Sequence, residues 1–156
     1  MTLLSFNPKS TYRDVAGDDL LNSFYIPCLE RSVHYTRAVG FFSPNSLTIA
    51  GRGLSVFLKN KGNMKLIFNA QIEPEIFDAI KKGQDDGALE KLEEELGFDF
   101  LDKIEEAEKY KVSKFRLDLL SLLVANGQLD IKVAITKTGM YHDKVGLFAD
   151  IEGNEI

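Results

Sequence analysis

The sequence predicts an α/β domain, a mixed and largely parallel β-sheet layered with helices. Two observations carry that prediction. Runs of strand length, rich in β-branched and aromatic residues, occur in SVHYTRAVGFFS, MKLIFNAQI, LDIKVAIT and YHDKVGLFAD. Segments with helical periodicity separate them, and strands joined through helices pair in parallel within layered α/β folds. At 156 residues the chain has the length of one domain, spanning 1–156.

The segment DVAGDDLLNSFYIPCLERS reads as a helix. Asp18 and Asp19 lie near its positive end, and Leu20, Leu21, Phe24 and Leu29 recur at roughly helical spacing. Pro27 predicts a kink or an early break. The strand SVHYTRAVGFFS follows and stops at Ser43-Pro44-Asn45, where Ser43 is a hydroxyl cap and Pro44 suits a first helical turn. A single helix is then expected over PNSLTIAGRGLSVFLKNKG, with Leu47, Ile49, Leu54, Phe57 and Leu58 on its apolar face and an end at Gly62. MKLIFNAQI is apolar enough to be a strand buried on both faces.

Residues 74–111 are acidic and helical in tendency, GALEKLEEELGF and LDKIEEAEKY being separated by Gly97, and they read as a solvated helical insertion. SKFRLDLLSLLVANG is a strong helix, with Ser113 as a cap, Phe115, Leu119, Leu122 and Leu123 as a core stripe, and Gly127 as its stop. LDIKVAIT and YHDKVGLFAD complete the strands.

A hydrophobic fraction of 44% and a charged fraction of 28% are those of an ordinary globular protein, without a collagen-like or disordered bias. No run approaches the ~18 apolar residues of a membrane span. The start MTLLSFNPKSTYRD lacks a basic-then-apolar leader, so no membrane association and a cytoplasmic location are expected. Cys28 is the one cysteine and sits among apolar neighbours, as a buried structural thiol does.

The net charge of −5 conceals a division. Between Arg31 and Ile72 there is no acid, against the cations Arg31, Arg37, Arg52, Lys59, Lys61 and Lys65, whereas residues 73–108 hold fourteen acids against four lysines. Any positive field belongs to the first half.

The stretch YHDKVGLFAD carries the chemistry. Its period-two alternation puts His142, Lys144, Gly146 and Phe148 on one face, with His142 and Lys144 roughly 6.5–7 Å apart along the backbone. An imidazole that attacks or moves a proton, beside an ammonium that holds non-bridging oxygens, suits a phosphodiester. Gly146 removes a side chain where a substrate or a second backbone can approach. By spacing alone, such a pair also arises on any exposed strand.

Further residues single it out. His142-Asp143-Lys144, the glycine and apolar run behind it, Asp150 and Glu152-Gly153-Asn154 resemble the HxK half-motif of the phospholipase D superfamily, whose active sites join two such motifs. Upstream, the stretch from DLLNSFYIP through VGFFSPNSLTIAGRGLSVFL to NMKLIFNAQI is similar to the N-terminal phospholipase D-like domain of restriction-type proteins and superfamily 2 helicases. The likeness covers most of the chain outside the acidic region.

The resemblance implies a nuclease-type phosphodiesterase acting on DNA, with His142 as the nucleophile that forms a phosphohistidine and Lys144 as the phosphate clamp. It implies no metal and no cofactor, and the sequence has no His/Cys/Asp cluster at ligand spacing. The family pattern has its aspartate five residues after the lysine, where this chain has Ala149, the acid following as Asp150. The family also continues past the Gly-Asn turn into a Gly-Ser-x-x-Asn segment. These residues are therefore expected to be a truncated piece of a longer polypeptide, its C-terminal remainder containing a helicase or restriction part, and to be inactive alone. His34 is followed by Tyr35 and Thr36, so a second HxK has to come from a homodimer or from that remainder.

Other candidates have two readings each. Ser43 binds a phosphate at a helix start or is a plain cap. Arg52, Lys59, Lys61 and Lys65 track a nucleic-acid backbone or are solvated helix ends. Phe41 and Phe42 stack bases beside Arg37, or at least one is core, and His34 is structural. A non-catalytic nucleic-acid-binding or dimerisation module is the rival to the nuclease. A lipid-cleaving enzyme ranks below both, because no basic amphipathic helix is visible.

Overall fold

The computed structural model describes residues 2–13, 16–69, 72–97, 104 and 113–156. A short 3-10 turn (Leu3–Ser5) and a π-helical turn (Leu21–Tyr25) precede α1 (Ile26–Arg31) and β1 (His34–Val39). Then come α2 (Asn45–Ile49), α3 (Gly51–Lys59), β2 (Asn63–Asn69), α4 (Pro74–Gln84) and α5 (Ala88–Leu96). The chain closes with α6 (Ser113–Ala125), β3 (Leu129–Ala134) and β4 (Lys144–Ala149). The strands form one sheet in the order β3-β2-β1-β4. The β1–β2 and β2–β3 pairs are parallel and β1–β4 is antiparallel, which is the mixed, largely parallel α/β sheet expected from the alternation of elements.

From β1 to β2 to β3 the chain steps twice in the same direction across the sheet. Parallel crossovers are right-handed almost without exception, so both helical connections belong on the same face. Burial agrees. Val39, Met64, Leu66, Phe68, Leu129 and Phe148, which the register places on one side, join Leu54, Phe57, Ile76, Leu119 and Leu123 from the helices in one core. On the other side Lys65, Asp130, Lys132, Val145 and Leu147 are exposed. The expectation that β2 is buried on both faces is corrected accordingly: it alternates between Met64, Leu66 and Phe68 inside and Lys65 outside.

Pro27 does not break the first helix. It occupies the first turn of α1, directly after the π-helical turn in which the wider backbone absorbs the ring. The strand β1 ends at Val39, four residues before Ser43, so GFFS belongs to a loop. The single helix expected over 44–62 is two helices that part at Ala50, where φ is −106° and ψ 35°. The break lets α3 press against α1: a Cβ on Gly53 would lie 3.0 Å from Ile26 Cα and 3.1 Å from Leu29 Cβ. Its consequence is that Ile49 leaves the apolar face and is exposed. Arg116 of α6 reaches back to α2, donating from Nε to Thr48 Oγ1 at 2.8 Å and from Nη1 to Asn45 Oδ1 at 2.6 Å.

The acidic segment packs more closely than a solvated insertion would. Ile76 and Ala79 of α4 enter the main core, and Ala88, Leu92 and Leu96 of α5 form a second cluster with Leu122 of α6. At Gly83 a Cβ would fall 2.3 Å from the main-chain Ser121 O, so α4 and α6 approach backbone to backbone. The acids line the outer face of helices whose inner face is apolar. Of LDKIEEAEKY only Ile104, which is buried, is described. The rest of that expected helix lies outside the described residues, and Ser113, expected as a cap, is the first residue of α6. The stripe of α6 is as expected, with Leu119, Leu122 and Leu123 buried, Phe115 partly buried, and Gly127 in the left-handed region at φ 75° just past its end.

This packing predicts a contrast within α5. Leu92→Ala should cost about 2–5 kcal/mol in urea unfolding, as buried leucine truncations do. Glu94→Ala, one turn face away and exposed, should stay within about 0.5 kcal/mol.

Candidate active site

The strand β4 runs antiparallel to β1, with Lys144 opposite Val39, Gly146 opposite Arg37 and Phe148 opposite Tyr35. Residues directly opposite share a face, so Lys144, Gly146 and Phe148 all point to the helix-covered side. Phe148 is buried and stacks on Tyr35 with ring centroids 4.3 Å apart, which anchors the far end of the strand. Lys144 stands at its exposed start, and His142 lies two residues earlier in the segment leading in. The period-two reading holds here, for Lys144 Nζ is 3.1 Å from His142 Nε2. An ammonium only donates, so the contact is a hydrogen bond in the tautomer that leaves Nε2 free to accept and has its proton on Nδ1.

Because β4 begins where β1 ends, the pair sits outside the carboxyl ends of the parallel strands β1 and β2. Open α/β sheets hold their ligands at that edge. The residue that permits it was not singled out in the sequence. A Cβ on Gly40, the first residue after β1, would lie 2.8 Å from Tyr141 O, 3.3 Å from His142 Cα and 3.6 Å from His142 Nδ1. Only a glycine lets the backbone of the 141–142 segment approach this closely. Gly146 is different: a Cβ there would meet the Tyr35 ring at 3.6 Å, an ordinary contact, so neither space nor backbone requires a glycine and what lies over it is this tyrosine.

Asp150, one residue later than the family pattern has its aspartate, has a clear role. It is buried, and its carboxylate accepts from Leu3 N–H at 2.8 Å, from Glu152 and Asn154 N–H at 2.9 Å each, and from the Asn154 side-chain amide. It thereby clamps the N-terminal turn and the turn after β4 to one point. Desolvation alone would raise its pKa; the hydrogen bonds from the Asn154 side chain, Leu3, Asn154 and Glu152 outweigh it and hold the carboxyl at about 2, below the usual 3.8.

The remaining candidates do not gather at the pair. Ser43 is at the same end of the sheet, but its hydroxyl accepts from Asn45 N–H at 3.3 Å while Pro44 takes the cap position. Arg52 is an ion pair with Glu30 at 2.9 Å. Lys59 and Lys61 are exposed just before β2, and the five residues of strand between the levels of Asn63 and Phe68 put them about 16 Å from the pair's end of the sheet. His34 is exposed at that far end. Phe42 is core against Phe68 and Phe41 is exposed on a loop, not on a strand. Cys28 is buried, which pushes its thiol up to about 12 and leaves it inert as a nucleophile. Arg37, set aside in the sequence, is half-buried and donates from Nη1 to Tyr25 Oη at 2.9 Å and Tyr35 Oη at 3.0 Å.

Two variants test this geometry. Gly40→Ala should destabilise by about 1–3 kcal/mol in thermal or urea unfolding and shift the His142 ring resonances, since backbone rather than a flexible side chain must move. For Asp150→Asn the pH dependence is diagnostic. Its folded pKa is depressed, so the stability it contributes is present above 3.8 and lost as pH falls through about 2. The melting temperatures of wild type and variant should therefore differ by a constant amount above pH 4 and converge between pH 3.8 and 2.

Among the described residues no helix is long and apolar enough to cross a membrane, and no group of three or more His, Cys, Asp or Glu converges as a metal site. Comparisons of the chain with family models, with curated proteins and with solved structures return no match.

Proposed function

We propose that the chain supplies one histidine–lysine half-site of a phosphodiesterase of phospholipase D type acting on DNA. The observation that supports this reading is the 3.1 Å contact of His142 and Lys144 at the carboxyl end of the sheet. In the reaction, Nε2 of His142 forms a bond to phosphorus as the bond to the leaving sugar oxygen breaks, and that oxygen takes a proton from the histidine of a second pair. Lys144 holds the non-bridging oxygens as charge builds. Water then attacks phosphorus and gives a proton to the second histidine, which had lost its own to the leaving oxygen; the N–P bond breaks, and both imidazoles are restored. The second pair comes from a second copy of the chain, so the active species is a homodimer.

A second reading is a DNA-binding or dimerisation module without chemistry. What favours it is that the pair lies on open surface, with no described residue accepting from Nδ1 of His142 to orient the ring.

Cleavage of duplex and single-stranded DNA by the full-length polypeptide in the presence of EDTA separates the two. His142→Ala should abolish cleavage, by about 10³-fold or more, and Lys144→Met should lower it by roughly 10²–10³. An acid-labile phosphate adduct on His142 should be trapped by mass spectrometry in the wild type. Metal-independent cleavage that His142→Ala leaves unchanged would sink the proposal, and salt-sensitive DNA binding without cleavage would transfer the chain to the second reading.

A further inference from the structure

Beneath β1, between the first helix and α2–α3, lies a cavity of about 170 Å³. Its walls are mostly apolar, with Leu29, Phe42, Leu54 and Met64 among them, Ser46 and Lys65 also line it, and neither His142 nor Lys144 reaches it. One corner is different. Arg37, Tyr25 and Tyr35 line it together, and Arg37 Nη1 donates to both phenol oxygens.

The hydrogen-bond inventory of that corner is one-sided. A guanidinium has five N–H donors and no acceptor, and it stays charged at any accessible pH. Each phenol already accepts from Arg37, so its own hydrogen must go elsewhere, and no described residue accepts it. Burial, the largest influence on Tyr35, pushes that phenol above its ordinary value in spite of Arg37, so it remains a donor at neutral pH. No described carboxylate pairs with Arg37. A half-buried cation and two hydroxyls thus converge with only donors left over, at the end of an apolar chamber.

We infer that this cavity binds a small monocarboxylate with an apolar body, such as an aryl or short branched-chain acid. The carboxylate takes the free N–H groups of Arg37 and the O–H groups of Tyr25 and Tyr35. The body fills the space lined by Leu47, Leu54 and Met64. A cavity of 150 Å³ accommodates a benzene ring, so one of about 170 Å³ suits a ligand of this size. Charge-assisted bidentate pairing is what makes arginine the residue for carboxylate recognition.

Benzoate is the probe, titrated into the unmodified chain in the absence of nucleic acid, with the Met64 methyl and Tyr25 ring resonances as readouts. Saturable shifts at both are expected, with a dissociation constant roughly in the high-micromolar to millimolar range for so small a ligand. Benzyl alcohol, of the same shape without the charge, and acetate, with the charge but no body, should each bind about tenfold or more weakly. Tyr25→Phe keeps the wall and removes one donor, and should weaken benzoate several-fold; Arg37→Met should remove saturable binding. Benzyl alcohol binding as tightly as benzoate would overturn the inference, as would the absence of a saturable shift at Met64 in the wild type, a result that needs no variant to fold.

Discussion

The handedness of the β-α-β crossover is the constraint on which the rest of this structure depends. With β1, β2 and β3 laid down in one direction, right-handed connections leave one face of the sheet covered and the other open. The inner face must then supply the whole core, which is why Met64, Leu66 and Phe68 follow one another at alternate positions of β2. Lys65 and Lys132 can stand on the outer face of central and neighbouring strands because nothing apolar lies over them. Against that background Arg37 is an exception, a charge on the inner face of an internal strand. Hydrogen bonds to two tyrosine hydroxyls offset part of the cost of its half-burial.

The fourth strand obeys different rules and for that reason carries the candidate chemistry. It returns antiparallel along the free edge of β1, so its first residues arrive where the parallel strands end. Three contacts hold it in register. Phe148 is locked under Phe24, Tyr25 and Tyr35, Asp150 ties the following turn to Leu3, and Gly40 gives the preceding segment room to close against β1. The catalytic candidates lie between these anchors, near the sheet edge but outside the core. Such an arrangement fixes the backbone while leaving the two side chains free to respond to a ligand.

The parts legible in the sequence were those governed by local periodicity. Alternation in HDKVGLFAD put His142 and Lys144 on one face, and the helical stripe of SKFRLDLLSLLV identified Leu119, Leu122 and Leu123 as core. What escaped depended on partners distant in sequence. The apolar run of β2 looks the same whether one face or two are covered, and only the crossover direction decides. The break at Ala50 follows from Gly53 fitting against Ile26, a contact between elements that no single-helix pattern contains. Charge dominated the reading of 74–111 although Ile76, Ala79, Leu92 and Leu96 form a good inner stripe; three or four apolar residues among many acids suffice when they recur at helical spacing. Gly40 was read inside the strand SVHYTRAVGFFS, because its function, to leave space for a segment a hundred residues away, has no local signature.

The contact between His142 and Lys144 bears on how the pair would act. At 3.1 Å the ammonium occupies the lone pair of Nε2, and that lone pair is the one a nucleophilic imidazole must present to phosphorus. With Nε2 as the acceptor the resting pair is self-blocked, and the proposed attack on phosphorus would require the ammonium to move away first. A phosphodiester supplies the reason to move, since its non-bridging oxygens attract the ammonium more strongly than a neutral nitrogen does. Both side chains are exposed, so the displacement costs little packing. Ligand charge itself then frees the nucleophile, and a neutral ester brought to the same edge would leave Lys144 where it is. On the proposed function, a preference for an anionic substrate would follow from the geometry of these two residues, before any contact to base or sugar is considered.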